Sequence, residues 1–178
     1  MKILMVLTDV LGNTGRKTEL WLEEFAAPYF VFRDAGVALT LASPDGHQPR
    51  IDLKSDLPEN HTLPMARFKH DAAAQEALAR AVKLADVKTE DYDAVFYPGG
   101  HGAIWDLAES PDSIALLESF GRLLVEERLL RLGAIFEKVS NLEPFAITAG
   151  RVITGENPAS PTSAAEALLR TMEQRSAA

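Results

Sequence analysis

The densest run of chemically suggestive residues in this chain is Pro98-Gly99-Gly100-His101-Gly102. Glycines at this spacing mark a sharp turn and leave backbone amides uncovered, because no Cβ shields them. A phosphate cradle would need a G-K-[ST] ending, which this turn lacks, and no G-x-S-x-G nucleophile elbow occurs elsewhere. The chain has no cysteine, so disulfides, thiolate metal sites and a thiol nucleophile are all excluded. The other histidines, His47, His61 and His70, lie in or beside a proline-rich stretch, without the i,i+4 helix spacing or carboxylate pairing that a metal site needs. Surface loop positions are the expectation for all three, with no metal and no cofactor.

The elements that must carry this turn are read from the apolar pattern. Ile3 to Leu7 is a short unbroken apolar run ended by Thr8 and Asp9, as in a strand buried on both faces. A helix follows: Thr18 can cap it, Leu20, Trp21, Phe25 and Phe32 give it a wide apolar face, Pro28 kinks it, and Gly36 ends it in a left-handed turn. Val37 to Ala42 is a second buried strand, closed by the turn Ser43-Pro44-Asp45-Gly46. Residues 44–70 contain Pro44, Pro49, Pro58 and Pro64 with little periodicity, and read as a long irregular excursion. Asp71 can cap an alanine-rich helix running to about Leu84, and Ala94 to Tyr97 is a third strand leading into the glycine turn. Ser110-Pro111 opens a helix whose apolar pattern continues through Leu124 and Leu129 to Gly133, with Gly121 interrupting it. Ala134 to Val139 and Phe145 to Thr154 read as two short strands joined by a turn, the second broken at Ala149-Gly150, and Ser160-Pro161 opens a terminal helix. Alternating strands and helices predict an α/β sandwich with a mostly parallel sheet in one domain spanning residues 1–178.

Bulk properties narrow the partners. A net charge of −8 and a pI near 5.0, with no Lys/Arg cluster, argue against nucleic-acid binding and against acidic membranes. The apolar start MKILMVLTDV is too short to span a bilayer and lacks a cleavage pattern, so it reads as a strand and a cytoplasmic location is expected.

Five segments in order carry a family resemblance: MKILMVLTDV, Trp21 to Tyr29 (WLEEFAAPY), Leu41 to Gly46 (LASPDG), Asp91 to Gly102 (DYDAVFYPGGHG) and Arg151 to Ser160 (RVITGENPAS). The chain resembles the ThiJ/PfpI family of the class I glutamine amidotransferase-like superfamily, especially its branch of heat-shock chaperones of the glyoxalase III type. The resemblance implies a flavodoxin-like three-layer sandwich and a nucleophilic cysteine on a strand-to-helix elbow, where a helix N-terminus stabilises the thiolate. By its position relative to Pro28, Glu24 matches the family's buried glutamate, which hydrogen-bonds the thiol and manages its proton. Gly99 and Gly100 match the oxyanion-binding turn, and His101 matches a residue lining the same pocket. Implied activities are glutathione-independent conversion of methylglyoxal to lactate, repair of glycated groups, and holdase chaperoning, with a small aldehyde or glycated substrate.

The departure from the family is larger than one residue. Where relatives have a V-A-A-V-C-H-G strand, its elbow and helix, and an I-T-G-F segment, here Leu116 to Arg122 runs directly into Leu123 to Leu129. The missing stretch is on the order of 40 residues, the size of a βα unit with its connections, and includes the family's catalytic histidine. Three readings stay open: a stretch present in the molecule is missing from this sequence, a shortened chain rearranges its sheet or borrows a strand from a partner, or two helices have fused. If the chain stands as it is, family thiolate chemistry is lost, and the rival expectation is a non-catalytic chaperone or binding protein that self-associates, as a homodimer, through an exposed sheet edge. Glu24 also has a plain alternative, a solvated helix-face carboxylate like Glu23. Asn157 and Ser160 read as capping and turn residues, and Trp105 as core or interface.

Overall fold

The structure, a computed structural model, describes residues 1–9, 19–99, 102–120, 146–149, 152–155 and 160–176. Its centre is β1 (Lys2–Val6). Ile3, Met5 and Leu7 enter one apolar cluster with Phe25 and Phe32, while Leu4 and Val6 enter a second cluster with Ala42, Leu84 and Leu116. Burial on both faces explains the unbroken apolar run, since neither parity of side chain meets water. β1 pairs in parallel with β2 (Ala38–Ser43), from Lys2 opposite Ala38 to Val6 opposite Ala42. The short strand β3 (Val82–Lys83) lies parallel beyond β2, and β4 (Ala94–Phe96) runs parallel on the other side of β1. The strand order is β3-β2-β1-β4, the parallel α/β arrangement of a flavodoxin-like fold.

Helix α1 (Leu22–Asp34) connects β1 to β2 and buries Phe25, Tyr29, Phe30 and Phe32. Trp21 occupies its cap position without a side-chain cap hydrogen bond, and the Thr18 expected there lies outside the described residues. Pro28 sits inside the helix, so the carbonyl of Glu24, four residues earlier, has no helical amide to accept. Gly36 ends the turn at φ 73°, with its amide donating to the Arg33 carbonyl and the Val37 amide to the Phe32 carbonyl.

The expected irregular excursion is partly helical. Thr62 caps α2 (Leu63–His70) by accepting from the Met65 amide, and Met65 and Phe68 are buried, the Phe68 ring meeting Phe25 edge-on at 5.5 Å. Pro64 disguised this helix in the sequence, yet proline is comfortable in a first turn, where its missing N–H has no helical partner to lose. Asp71 caps α3 (Ala72–Ala79) through the Ala74 amide as expected, but the helix stops well short of Leu84 because Val82 and Lys83 pair with β2 instead. Two more helices follow β4: the short α4 (Ala103–Asp106) and α5 (Pro111–Phe120), whose start is capped by Ser110 Oγ accepting from the Ser113 amide. β5 (Ala146–Ala149) and β6 (Val152–Gly155) form an antiparallel pair of their own, rather than one interrupted strand. The terminal helix α6 (Pro161–Ser176) packs on α1 and on that pair.

Helices α1, α2, α3 and α6 thus contribute to the cluster on one face of the parallel sheet, and α5 to the cluster on the other. The Arg122–Leu123 junction, Gly121, the extension through Leu124 and Leu129 to Gly133, and the strand expected at Ala134 to Val139 all lie outside the described residues. Among the described residues no helix is long and apolar enough to cross a membrane.

Candidate functional site

The connectivity places a crevice before any side chain is considered. From β1 the chain moves outward through β2 to β3, then crosses back to lay β4 on the opposite side of β1. Where strand order reverses in this way, the connections leave in opposite directions and open a cleft outside the carboxyl ends of the strands. Thr8 and Asp9 follow β1 there, and Pro98 and Gly99 follow β4.

Glu24 reaches this point from the first turn of α1 and is only 5% exposed. Its Oε2 atom has no hydrogen-bond partner among the described residues. A helix N-terminus favours a negative charge, but burial dominates and pushes the carboxyl up from 4.5 to about 7. Gly99 explains how the group fits. A Cβ built at Gly99 would lie 3.2 Å from both Cδ and Oε1 of Glu24, so the carboxyl rests directly against a bare stretch of backbone. The structure therefore brings together Glu24 and Gly99, while Gly100 and His101 lie outside the described residues. A carboxyl that is half protonated near neutrality, beside the bare backbone of Gly99, can take up or release a proton at a small bound molecule.

A second group at the crevice was not anticipated from the sequence. The Asp106 carboxylate, at the end of α4, accepts from Thr8 Oγ1 at 2.9 Å through either oxygen, and from the Asp9 amide at 2.5 Å. Gly102 packs so closely on the Thr8 side chain that any Cβ there would overlap it. Asp9 is 6% exposed, and its Oδ2 has no partner among the described residues. Burial raises the pKa of Asp9, opposed by His47 and reinforced by Asp106, and burial likewise raises that of Asp106 against the hydrogen bonds it accepts. A polar pair ending a fully apolar strand was the one available signal for Thr8 and Asp9. Nothing in the local sequence distinguishes Asp106 from other helix carboxylates.

Glu23, one residue before Glu24, is not a freely solvated carboxylate either. It accepts a short hydrogen bond from the Thr62 hydroxyl, and burial raises its pKa against that bond. Thr62 thereby ties the α2 cap to the start of α1. The remaining candidates disperse. His47 is exposed in the turn after β2. His61 meets the Asp56 carbonyl and carboxylate on an exposed loop, and His70 is exposed at the end of α2. No cluster of metal-ligating side chains occurs among the described residues. Ser160 is buried just before α6 with its carbonyl accepting from the Ala164 amide, whereas Asn157 lies outside the described residues, as does the Trp105 side chain.

No known family's sequence profile matches the chain. The curated protein Glyoxalase 3 of Candida albicans is 29% identical over 117 residues, which cover 63% of this chain and 49% of the relative. The chain thus spans about half the length of the curated relative it matches. Among solved structures, one crystal structure at 25% identity superposes with a TM-score of 0.76 over 98% of both chains. A glyoxalase III from Candida albicans, 21% identical, superposes with a TM-score of 0.75 over 96% of both chains. A ThiJ/PfpI domain protein from Brachyspira murdochii, 15% identical, gives a TM-score of 0.55 over 97% of this chain and 96% of its own.

Proposed function

We propose, from the chain's similarity to Glyoxalase 3 and its resemblance to the ThiJ/PfpI family, that it is a glyoxalase-like protein whose crevice between β1 and β4 receives a small reactive aldehyde such as methylglyoxal, or a glycated group. The observation that carries this reading is the buried Glu24 carboxyl, pushed up to about 7 and lying against Gly99 at the carboxyl ends of the parallel strands. In this reading Glu24 handles the proton that moves when the carbonyl carbon changes its bonding, and the turn from Gly99 through Gly100 and His101 receives the carbonyl oxygen. The family's thiolate step has no residue to perform it in a chain without cysteine, so binding and proton handling are retained and thiolate turnover is not.

The test is titration of the purified chain with methylglyoxal in the absence of glutathione, following the Gly99 amide and Glu24 carboxyl by NMR while lactate is assayed. Saturable shifts at both positions, weakened at least about tenfold in Glu24→Ala, are expected, with lactate formed no faster than in buffer. Absence of shifts at either position would remove the aldehyde-binding reading, and rapid lactate formation would refute the loss of turnover. Suppression of client aggregation without aldehyde binding would favour the rival function, a non-catalytic, self-associating chaperone.

A further inference from the structure

We infer that Asp106 is a positioning residue, which fixes the turn after β4 against the end of β1 and so keeps Glu24 shut away from water beside Gly99. The inference deepens the reading of the crevice just given. The segment from β4 to α4 is tied to β1 at two places. At its start, Ala94 to Phe96 pair in register with Ile3 to Met5. At its end, the Asp106 carboxylate accepts from the Thr8 hydroxyl and the Asp9 amide, on the first residues with polar side chains beyond that strand.

Two glycines between these ties are closely packed. Gly102 lies against Thr8 without room for a Cβ, and Gly99 lies against the Glu24 carboxyl at a separation that a Cβ would crowd. Each glycine thus lies against a different partner, Gly102 against Thr8 beyond β1 and Gly99 against Glu24 of α1. The carboxylate of Asp106 is the acceptor that joins the far end of this segment to the strand, and its loss would leave the Thr8 hydroxyl and Asp9 amide without the hydrogen bonds they make here. Buried donors stripped of their acceptor seek water. Water drawn to that end of the crevice would reach Glu24, whose neutral form is held by dryness alone, since burial is the sole cause that raises it.

The experiment reads Glu24 itself and needs no ligand, so its failure is distinct from failure of the aldehyde-binding reading. Carboxyl-detected NMR titration of the 13C-Glu-labelled chain gives the Glu24 midpoint in the parent, in Asp106→Asn, in Asp106→Ala and in Thr8→Val. Leu78→Ala, on α3 in the core cluster, serves as a control for general loss of stability. Asp106→Ala is expected to lower the midpoint from about 7 by about one unit or more, Thr8→Val by less, and Asp106→Asn, which keeps an acceptor oxygen, to stay close to the parent. Leu78→Ala is expected to leave it unmoved. If Asp106→Ala does not fold, Thr8→Val against Asp106→Asn decides the point. An unchanged midpoint in folded Asp106→Ala or in Thr8→Val would overturn the inference, as would an equal fall in Leu78→Ala.

Discussion

Burial raises the Glu24 carboxyl from 4.5 to about 7, so between those values the folded chain holds a proton that the unfolded chain has released. Stability must then fall as pH rises through that window, and level off above about 7, with a total loss of about 3 kcal/mol. Asp9 and Asp106, also raised by burial, act in the same direction from lower pH. Glu24→Gln keeps the shape and removes this titration. We expect it to match the parent at pH 5 and to be more stable by about 2–3 kcal/mol at pH 8, as urea melts at the two values will show. A parent and variant with the same pH slope would mean that Glu24 is not the group responsible. Gly99→Ala probes the other side of the contact: its Cβ would lie 3.2 Å from the carboxyl, so it should cost about 1–3 kcal/mol and displace the Glu24 resonance. At this scale a motif in the sequence pointed to Glu24 and Gly99, which the fold sets side by side. It was silent on Asp106, because the partners of that carboxylate lie almost a hundred residues earlier, and no local pattern encodes a bond across that separation.

At the scale of elements, the legible features were those with local causes. Asp71 caps α3, Ser110 starts α5, and Gly36 takes the left-handed turn, each by forces acting within a few residues. The illegible ones depended on distant partners. β3 is a two-residue strand that exists because β2 offers it a ladder, and α2 was hidden by a proline that reads as a breaker out of context. Thr62 carries a prediction at this level, because its hydroxyl donates to Glu23 while its oxygen accepts from the Met65 amide. Thr62→Ala removes both bonds and is expected to cost about 1–2 kcal/mol, whereas Thr62→Ser keeps both and should recover most of it. Chemical denaturation of the two variants checks the ordering, and equal losses would show that the methyl group matters rather than the hydroxyl.

The whole molecule is organised so that its site depends on contacts made far along the chain. α6 lies against α1, and its Ala165 is fully buried in the cluster that includes Ile3, Phe25 and Phe32. Alternating strands and helices predicted the layered sheet, but not which helix would cover α1, since an alanine-rich helix end fits many apolar faces equally well. Because that shared cluster backs both β1 and the helix bearing Glu24, α6 is expected to open only with the core and not as a separate flap. A charge placed at its centre tests this directly. Ala165→Asp buries a carboxylate with no room for water and should cost about 3 kcal/mol or more. Hydrogen exchange of the Ile3 to Val6 amides should then accelerate by the same free energy that denaturation reports, showing that strand and terminal helix unfold as one unit. If the β1 amides keep their parent protection while only α6 frays, the helix is an independent cover, and the crevice would be held by the sheet and α1 alone.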